Sequence, residues 1–298
     1  MTTGTISIDR FRIRYRAAGK GIPVILVHGS HRSSYTFGRS IDALAREFLV
    51  IAPDLPGYGR SSAITRRQQL PDMPGILIKF AEALGLGPYH WVGESRGGGH
   101  VIQVAARRPS LARSLLLVSP VGLPPRELPK PAEVHSQTKW EWFVERSVDD
   151  PRVFTDEDRA VLVRNLDKAA SYENRRLAAT TEEYNRQGLV DCIVALTLPI
   201  MLVWGRQDPV FPVECVERFR ELILDLRRVE IIDLARHLSF FEHSSRFNSV
   251  ALEFFRSIST ESDSSPFIEG NAKWVTSGPS ARRSWLSGLL PRVGSSRS

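Results

Sequence analysis

The chain has 298 residues, 42% of them apolar and 24% charged, which is enough to bury a large core and excludes a fibrous or low-complexity protein. No apolar run approaches the ~20 residues of a membrane-spanning helix. The net charge of +7 is unevenly placed: past Glu269 stand five bases (Lys273, Arg282, Arg283, Arg292, Arg297) and no acid, so residues 1–269 hold 35 bases against 33 acids and offer no basic body for nucleic acid.

The N-terminal stretch is polar and strand-like, without the apolar core of a secretory signal. Residues 5–8 and 11–15 predict an antiparallel pair, with Phe11, Ile13 and Tyr15 on one face. Residues 24–27 form a short, wholly apolar run of the kind covered on both faces, and 48–52, 90–92, 114–118, 200–204 and 228–232 read the same way. Helical stretches lie between them. Asp72 is placed to cap one that carries Ile76, Leu77, Phe80 and Leu84 and is ended by Gly85 and Gly87. Another spans 97–108 and stops at Pro109. This alternation predicts an α/β fold with a mainly parallel sheet.

The rhythm breaks between Val121 and Leu198. Pro120, Pro124, Pro125, Pro129 and Pro131 open a stretch that turns helical and charged near Trp140 and lacks strands. It is too long for a loop inside a compact domain, so residues 122–197 predict a helical lid on a core made of 1–121 and 198–258. Residues 259–298 are rich in Ser, Gly, Pro and Arg and predict a disordered basic tail. Weak contact of Arg282, Arg283, Trp285, Leu286, Leu289 and Leu290 with acidic membrane surfaces is the alternative use of that tail. Cys192 and Cys215 have neither metal-site nor redox-motif spacing. They predict reduced core thiols and a cytoplasmic setting.

Gly93-Glu94-Ser95-Arg96-Gly97 is the strongest chemical signal. It follows a strand and opens a helix, so the serine sits on a tight turn with its hydroxyl clear of the backbone. The helix N-terminus adds positive potential where negative charge would develop. A structural Gly-rich turn is the competing reading. A serine nucleophile needs a base, and the base an orienting acid. Of the seven histidines, His237 follows the last predicted strand and His243 is its rival. Asp208, in Trp204-Gly205-Arg206-Gln207-Asp208-Pro209, follows the preceding strand, whereas Ser119-Pro120-Val121-Gly122 supplies no carboxylate. Oxyanion donors are expected from the backbone N–H groups of Arg96 and of Ser30, in His28-Gly29-Ser30-His31. Glu94 is expected to answer Arg96 or Arg60.

These residues resemble the α/β-hydrolase superfamily. His28-Gly29-Ser30 is similar to its oxyanion loop, Asp54-Leu55-Pro56-Gly57-Tyr58-Gly59-Arg60-Ser61 to its structural turn, and Gly93–Gly97 to its nucleophile elbow. His237 followed five residues later by Glu242 is similar to its H-x4-E pattern. The resemblance implies an eight-stranded sheet flanked by helices, an active site beneath a lid, and no metal or organic cofactor. Within the superfamily the chain resembles lid-bearing esterases and the carbon–carbon bond hydrolases of meta-cleavage products, to whose lid Asp150-Pro151-Arg152-Val153-Phe154-Thr155-Asp156-Glu157 is similar. It departs from the latter in its Glu-Ser-Arg elbow and in Leu238 after the histidine. Arg236 stands where many relatives carry Gly.

The expected activity is therefore hydrolysis of carboxylic esters of small, largely apolar acids through an acyl group on Ser95. A carbon–carbon hydrolase of a vinylogous diketone, or a non-catalytic binding protein of the same fold, is the alternative. The expected partner is a small-molecule substrate, with no nucleic acid and no stable membrane association. Tyr35, Phe37, Trp140, Trp142 and Phe143 are the candidate pocket walls.

Overall fold

The computed structural model describes residues 1–65, 67–123, 138–183 and 186–263. Eight strands form one sheet: β1 (Thr2–Ile8), β2 (Phe11–Ala18), β3 (Pro23–Val27), β4 (Leu49–Pro53), β5 (Tyr89–Glu94), β6 (Ala112–Val118), β7 (Ile200–Gly205) and β8 (Leu226–Ile232). Their spatial order is β1-β2-β4-β3-β5-β6-β7-β8. β2 runs antiparallel to both β1 and β4, and every other pairing is parallel. The predicted strand sites all carry strands, most of them longer by one to three residues at an end.

The apolar runs of the central strands follow from having two cores to serve. Ile25 and Val27 join one cluster and Val24 and Leu26 the other. Leu115 and Leu117 alternate with Leu116 and Val118 in the same way, and Leu202 and Trp204 with Met201 and Val203. Period-two alternation thus places successive side chains on opposite faces, both covered by helices. One face packs α2 (Met73–Leu84), α3 (Arg96–Arg107) and α7 (Cys215–Leu222), through residues such as Phe80, Val101 and Phe219. The other packs α1 (Gly38–Leu44) and α9 (Ser244–Asp263).

Two local expectations change. Asp72 does precede α2, but its carboxylate makes no capping bond; it pairs with Arg107 at 2.8 Å. The C-terminal helix also outlasts the expected boundary. Phe247, Val250, Ala251, Phe254, Phe255 and Ile258 form a stripe at helical spacing, all buried, and carry α9 to Asp263. The remaining tail, 264–298, lies outside the described residues, as do the proline-rich 124–137.

Between β6 and β7 the described residues hold helices and no strand: α4 (Lys139–Ser147), α5 (Asp156–Glu183) and α6 (Arg186–Val194). Thr138 caps α4 in a reciprocal box with Glu141. The short α8 (Ser239–Glu242) precedes α9. No helix among the described residues is long and apolar enough to cross a membrane.

Candidate active site

Ser95 occupies the turn between β5 and α3 with φ 54° and ψ −118°, a conformation an L-residue holds only under external constraint. The constraint is visible. Its N–H donates to Val118 O at 2.8 Å, and its carbonyl accepts the N–H groups of Gly98 and Val121, both at 3.0 Å. Gly97 is required by a close approach: a Cβ there would sit 2.2 Å from Val27 O. Gly29 has the same function opposite, since its Cβ would meet the Glu94 carboxylate at 2.6 Å and the Ser95 Cβ at 2.8 Å.

Three residues from three sheet-edge loops form one hydrogen-bonded chain. His237 Nε2 lies 2.9 Å from Ser95 Oγ, and His237 Nδ1 lies 2.8 Å from Asp208 Oδ2. Asp208 Oδ1 in turn accepts the N–H groups of Val210 at 2.8 Å and Phe211 at 3.0 Å, which fixes the carboxylate. All three are buried. The rival His243 turns away, its Nε2 lying 2.7 Å from Leu234 O.

The His28-Gly29-Ser30 loop is anchored from behind. His28 is fully buried; Leu55 N–H donates to its Nε2 at 3.0 Å, and its Nδ1 lies 2.8 Å from Gly29 O. An acceptor Nε2 requires the proton on Nδ1, and burial holds the ring's pKa below the ordinary histidine value. Ser30 and Arg96 line the cavity that contains Ser95, and Arg96 Nε donates to Ser30 Oγ at 2.7 Å.

Glu94 has a different partner from the one expected. It is fully buried, lies 3.3 Å from Arg32, and accepts the Gly29 N–H at 2.8 Å. Its Oε1 is 3.7 Å from His237 Nε2. Arg60 instead points its backbone N–H at Asp54.

The cavity measures about 260 Å³. Val121, Trp142, Phe143, Val210 and Phe211 give it apolar walls, alongside Arg32, Arg96 and Arg146. Of the five aromatic residues expected there, Trp142 and Phe143 take part. Phe37 packs in the core against Phe240, Tyr35 lies under Arg16, and Trp140 faces Phe154 and Arg159. Sequence reasoning missed Arg146. The available signal was the helical spacing of Trp142, Phe143, Arg146 and Ser147, which puts an arginine on the inward face of α4.

Arg236 also acquires a structural account. Its guanidinium bonds Glu145 O and reaches Asp149 Oδ1 at 3.4 Å, joining the histidine loop to α4. Beside it, His237 N–H points at Arg146 O (3.4 Å) and Leu238 N–H donates to Ser147 O (2.7 Å). Glu242 Oε1 accepts the N–H groups of Asp149 at 2.8 Å and Asp150 at 2.7 Å.

Residues 22–160 match the model of the alpha/beta hydrolase fold. Over 267 residues the chain is 27% identical to the 2-hydroxy-6-oxononadienedioate/2-hydroxy-6-oxononatrienedioate hydrolase of Burkholderia vietnamiensis, covering 82% of this chain and 91% of that protein. Over 116 residues it is 37% identical to the dihydrolipoyllysine-residue acetyltransferase component of the acetoin cleaving system of Cupriavidus necator. That match covers 39% of this chain, which spans only 31% of the relative's length. A putative lipase from Acinetobacter baumannii superposes with a TM-score of 0.77 at 20% identity, covering 87% of this chain and 92% of that one.

Proposed function

The chain is an α/β hydrolase by fold, and on that premise we propose that it is a serine hydrolase cleaving carboxylic esters of small acids through an acyl group on Ser95. The observation that carries the reading is the unbroken Ser95–His237–Asp208 hydrogen-bond chain inside a cavity. Ser95 Oγ attacks the carbonyl carbon while His237 Nε2 takes its proton. Asp208 holds the imidazolium, and the backbone N–H groups of Ser30 and Arg96 receive the oxyanion. The ester C–O bond then breaks, and the departing alcohol leaves with the proton from His237. Water repeats the sequence in reverse: its hydroxyl ends on the acid and its other proton returns to Ser95. The helical segment between β6 and β7 serves as the lid, since α4 supplies Trp142, Phe143 and Arg146 to the cavity wall.

A second reading has its own support. The similarity to a dienedioate hydrolase runs along most of the chain, so the same serine could cleave a carbon–carbon bond beside a ketone.

A fluorophosphonate probe tests the nucleophile. Native protein is expected to be labelled on Ser95, with labelling abolished in Ser95→Ala, sharply reduced in His237→Ala and retained in His243→Ala. Hydrolysis of p-nitrophenyl esters should follow the same ranking, and faster turnover of a vinylogous diketone would favour the carbon–carbon reading. Folded native protein that resists the probe would overturn the assignment and leave a non-catalytic binding protein of this fold.

A further inference from the structure

The charge inside the cavity is one-sided. Among the described residues three arginines line it, and no aspartate or glutamate does. Arg32 is answered from behind by the buried Glu94 at 3.3 Å. Arg96 Nε donates to Ser30 Oγ, which fixes its guanidinium against the oxyanion loop. Arg146 has no carboxylate within 4.0 Å among the described residues, and its Nε is buried without a hydrogen-bond partner. Its guanidinium lies 5.1 Å from the centre of the Trp142 ring, so an aromatic face orients it instead of an acid. The backbone holds it in register with the chemistry, since Arg146 O faces the N–H of His237 at 3.4 Å. The N-terminus of α3, which begins at Arg96, adds potential of the same sign.

From this arrangement we propose that the cavity selects an anionic substrate, an ester bearing a free carboxylate that Arg146 receives. A planar guanidinium presents forked N–H donors that match a carboxylate, and charge-assisted bonds of this kind strengthen where water is excluded. The apolar walls Val121, Val210 and Phe211 fit the short chain between the ester and the carboxylate. The inference deepens the serine-hydrolase reading of this cavity and rests on it for the reaction, while the binding of the anion stands independently.

The experiment compares matched esters on the full-length protein: p-nitrophenyl butyrate as the neutral reference, mono-p-nitrophenyl glutarate with the carboxylate on the acyl side, and para-carboxyphenyl butyrate against phenyl butyrate for the alcohol side. One anionic ester should exceed its neutral counterpart in kcat/KM by on the order of tenfold, most of it through KM. Arg146→Gln should erase that ratio, and Arg146→Lys should keep part of it by keeping the charge. Neutral esters preferred over both anionic ones would overturn the proposal. Glutarate alone supplies a readout free of turnover: it should raise the melting temperature of the native protein and slow fluorophosphonate labelling, and neither effect should survive in Arg146→Gln. If no ester is cleaved and the probe does not label, the hydrolase reading has failed and the glutarate shift decides the anion site by itself. Absence of that shift in the native protein would overturn it.

Discussion

Glu94 and Arg32 are both almost completely shielded from water, 0% and 6% exposed, yet they sit one shell behind the proposed nucleophile. A buried ion pair contributes little net stability when intact, but removing one member strands the other, which costs about 3–5 kcal/mol. Glu94→Ala should therefore lower the melting temperature by roughly 10 °C, and Arg32→Met on top of it should recover part of that loss. Calorimetry on the two single variants and the double variant checks this, and additive losses would rule out the coupling. Asp208 makes the opposite case. Its carboxylate already has two backbone donors besides His237, so Asp208→Asn should stay folded while kcat falls by about 10⁴; stopped-flow ester hydrolysis measures it. The two residues also differ in how legible they were. Asp208 could be read from chain order, because a strand end fixes where its loop emerges. The partner of Glu94 could not, because Arg32 reaches it across the sheet edge from a loop some 60 positions away.

Elements were legible wherever their apolar pattern had one solution. The central strands bury both faces, so their continuous Val, Ile and Leu runs marked them plainly. Helices between β6 and β7 were legible as helices, but what they attach to was not. Lys168 of α5 donates to Gly59 O at 2.6 Å and Ser61 O at 2.9 Å, tying this segment to the turn after β4. Phe154 stacks on Phe241 of α8 with ring centroids 5.3 Å apart. Such contacts depend on long-range register, which a local pattern does not encode. Glu242 is the sharpest test, since one carboxylate oxygen accepts two backbone N–H groups, those of Asp149 and Asp150. Glu242→Ala should expose both amides to faster hydrogen exchange and lower stability by about 2–3 kcal/mol. Unchanged exchange at these two amides would show that the loop is held by other contacts.

At the scale of the whole molecule, two buried histidines contribute to the response to acid. His90 is fully buried between Phe48 and Phe255, and burial, aided by the nearby Arg113 charge, pushes its pKa down to about 3. His28 is shifted in the same direction. In the unfolded chain His90 regains a pKa near ~6.5, so between that value and about 3 the unfolded state binds the extra proton. Its contribution is complete above roughly pH 6.5 and declines as the solution is acidified, by up to about 1.4 kcal/mol per pH unit, and His28 acts in the same direction. Denaturant midpoints measured from pH 7 to pH 4 should fall with that slope, and His90→Gln should flatten it. An unchanged slope would mean that the ring is protonated in the folded protein. The sequence revealed that the chain contained seven histidines, but only the packing separates His28 and His90, enclosed in the core, from His237, set between Ser95 and Asp208.

The pairing of α4 with the histidine loop has a consequence for recombination. Arg146 O and Ser147 O face the N–H groups of His237 and Leu238, and Arg236 and Glu242 bind across the same seam. Sequence boundaries would place crossover points at the ends of β6 and β7 and treat everything between as a cassette. A chimera cut there inherits one half of the seam from each parent. His237, the proposed base, would be framed by a foreign helix, and kcat should drop even when the new segment folds. Exchanging residues 139–155 and 233–243 together keeps the seam within one parent, and that pair of blocks, discontinuous in the chain, is the unit in which substrate preference should transfer with activity intact. Ester hydrolysis by both sets of chimeras, at matched folded fractions, distinguishes a portable cassette from a split one.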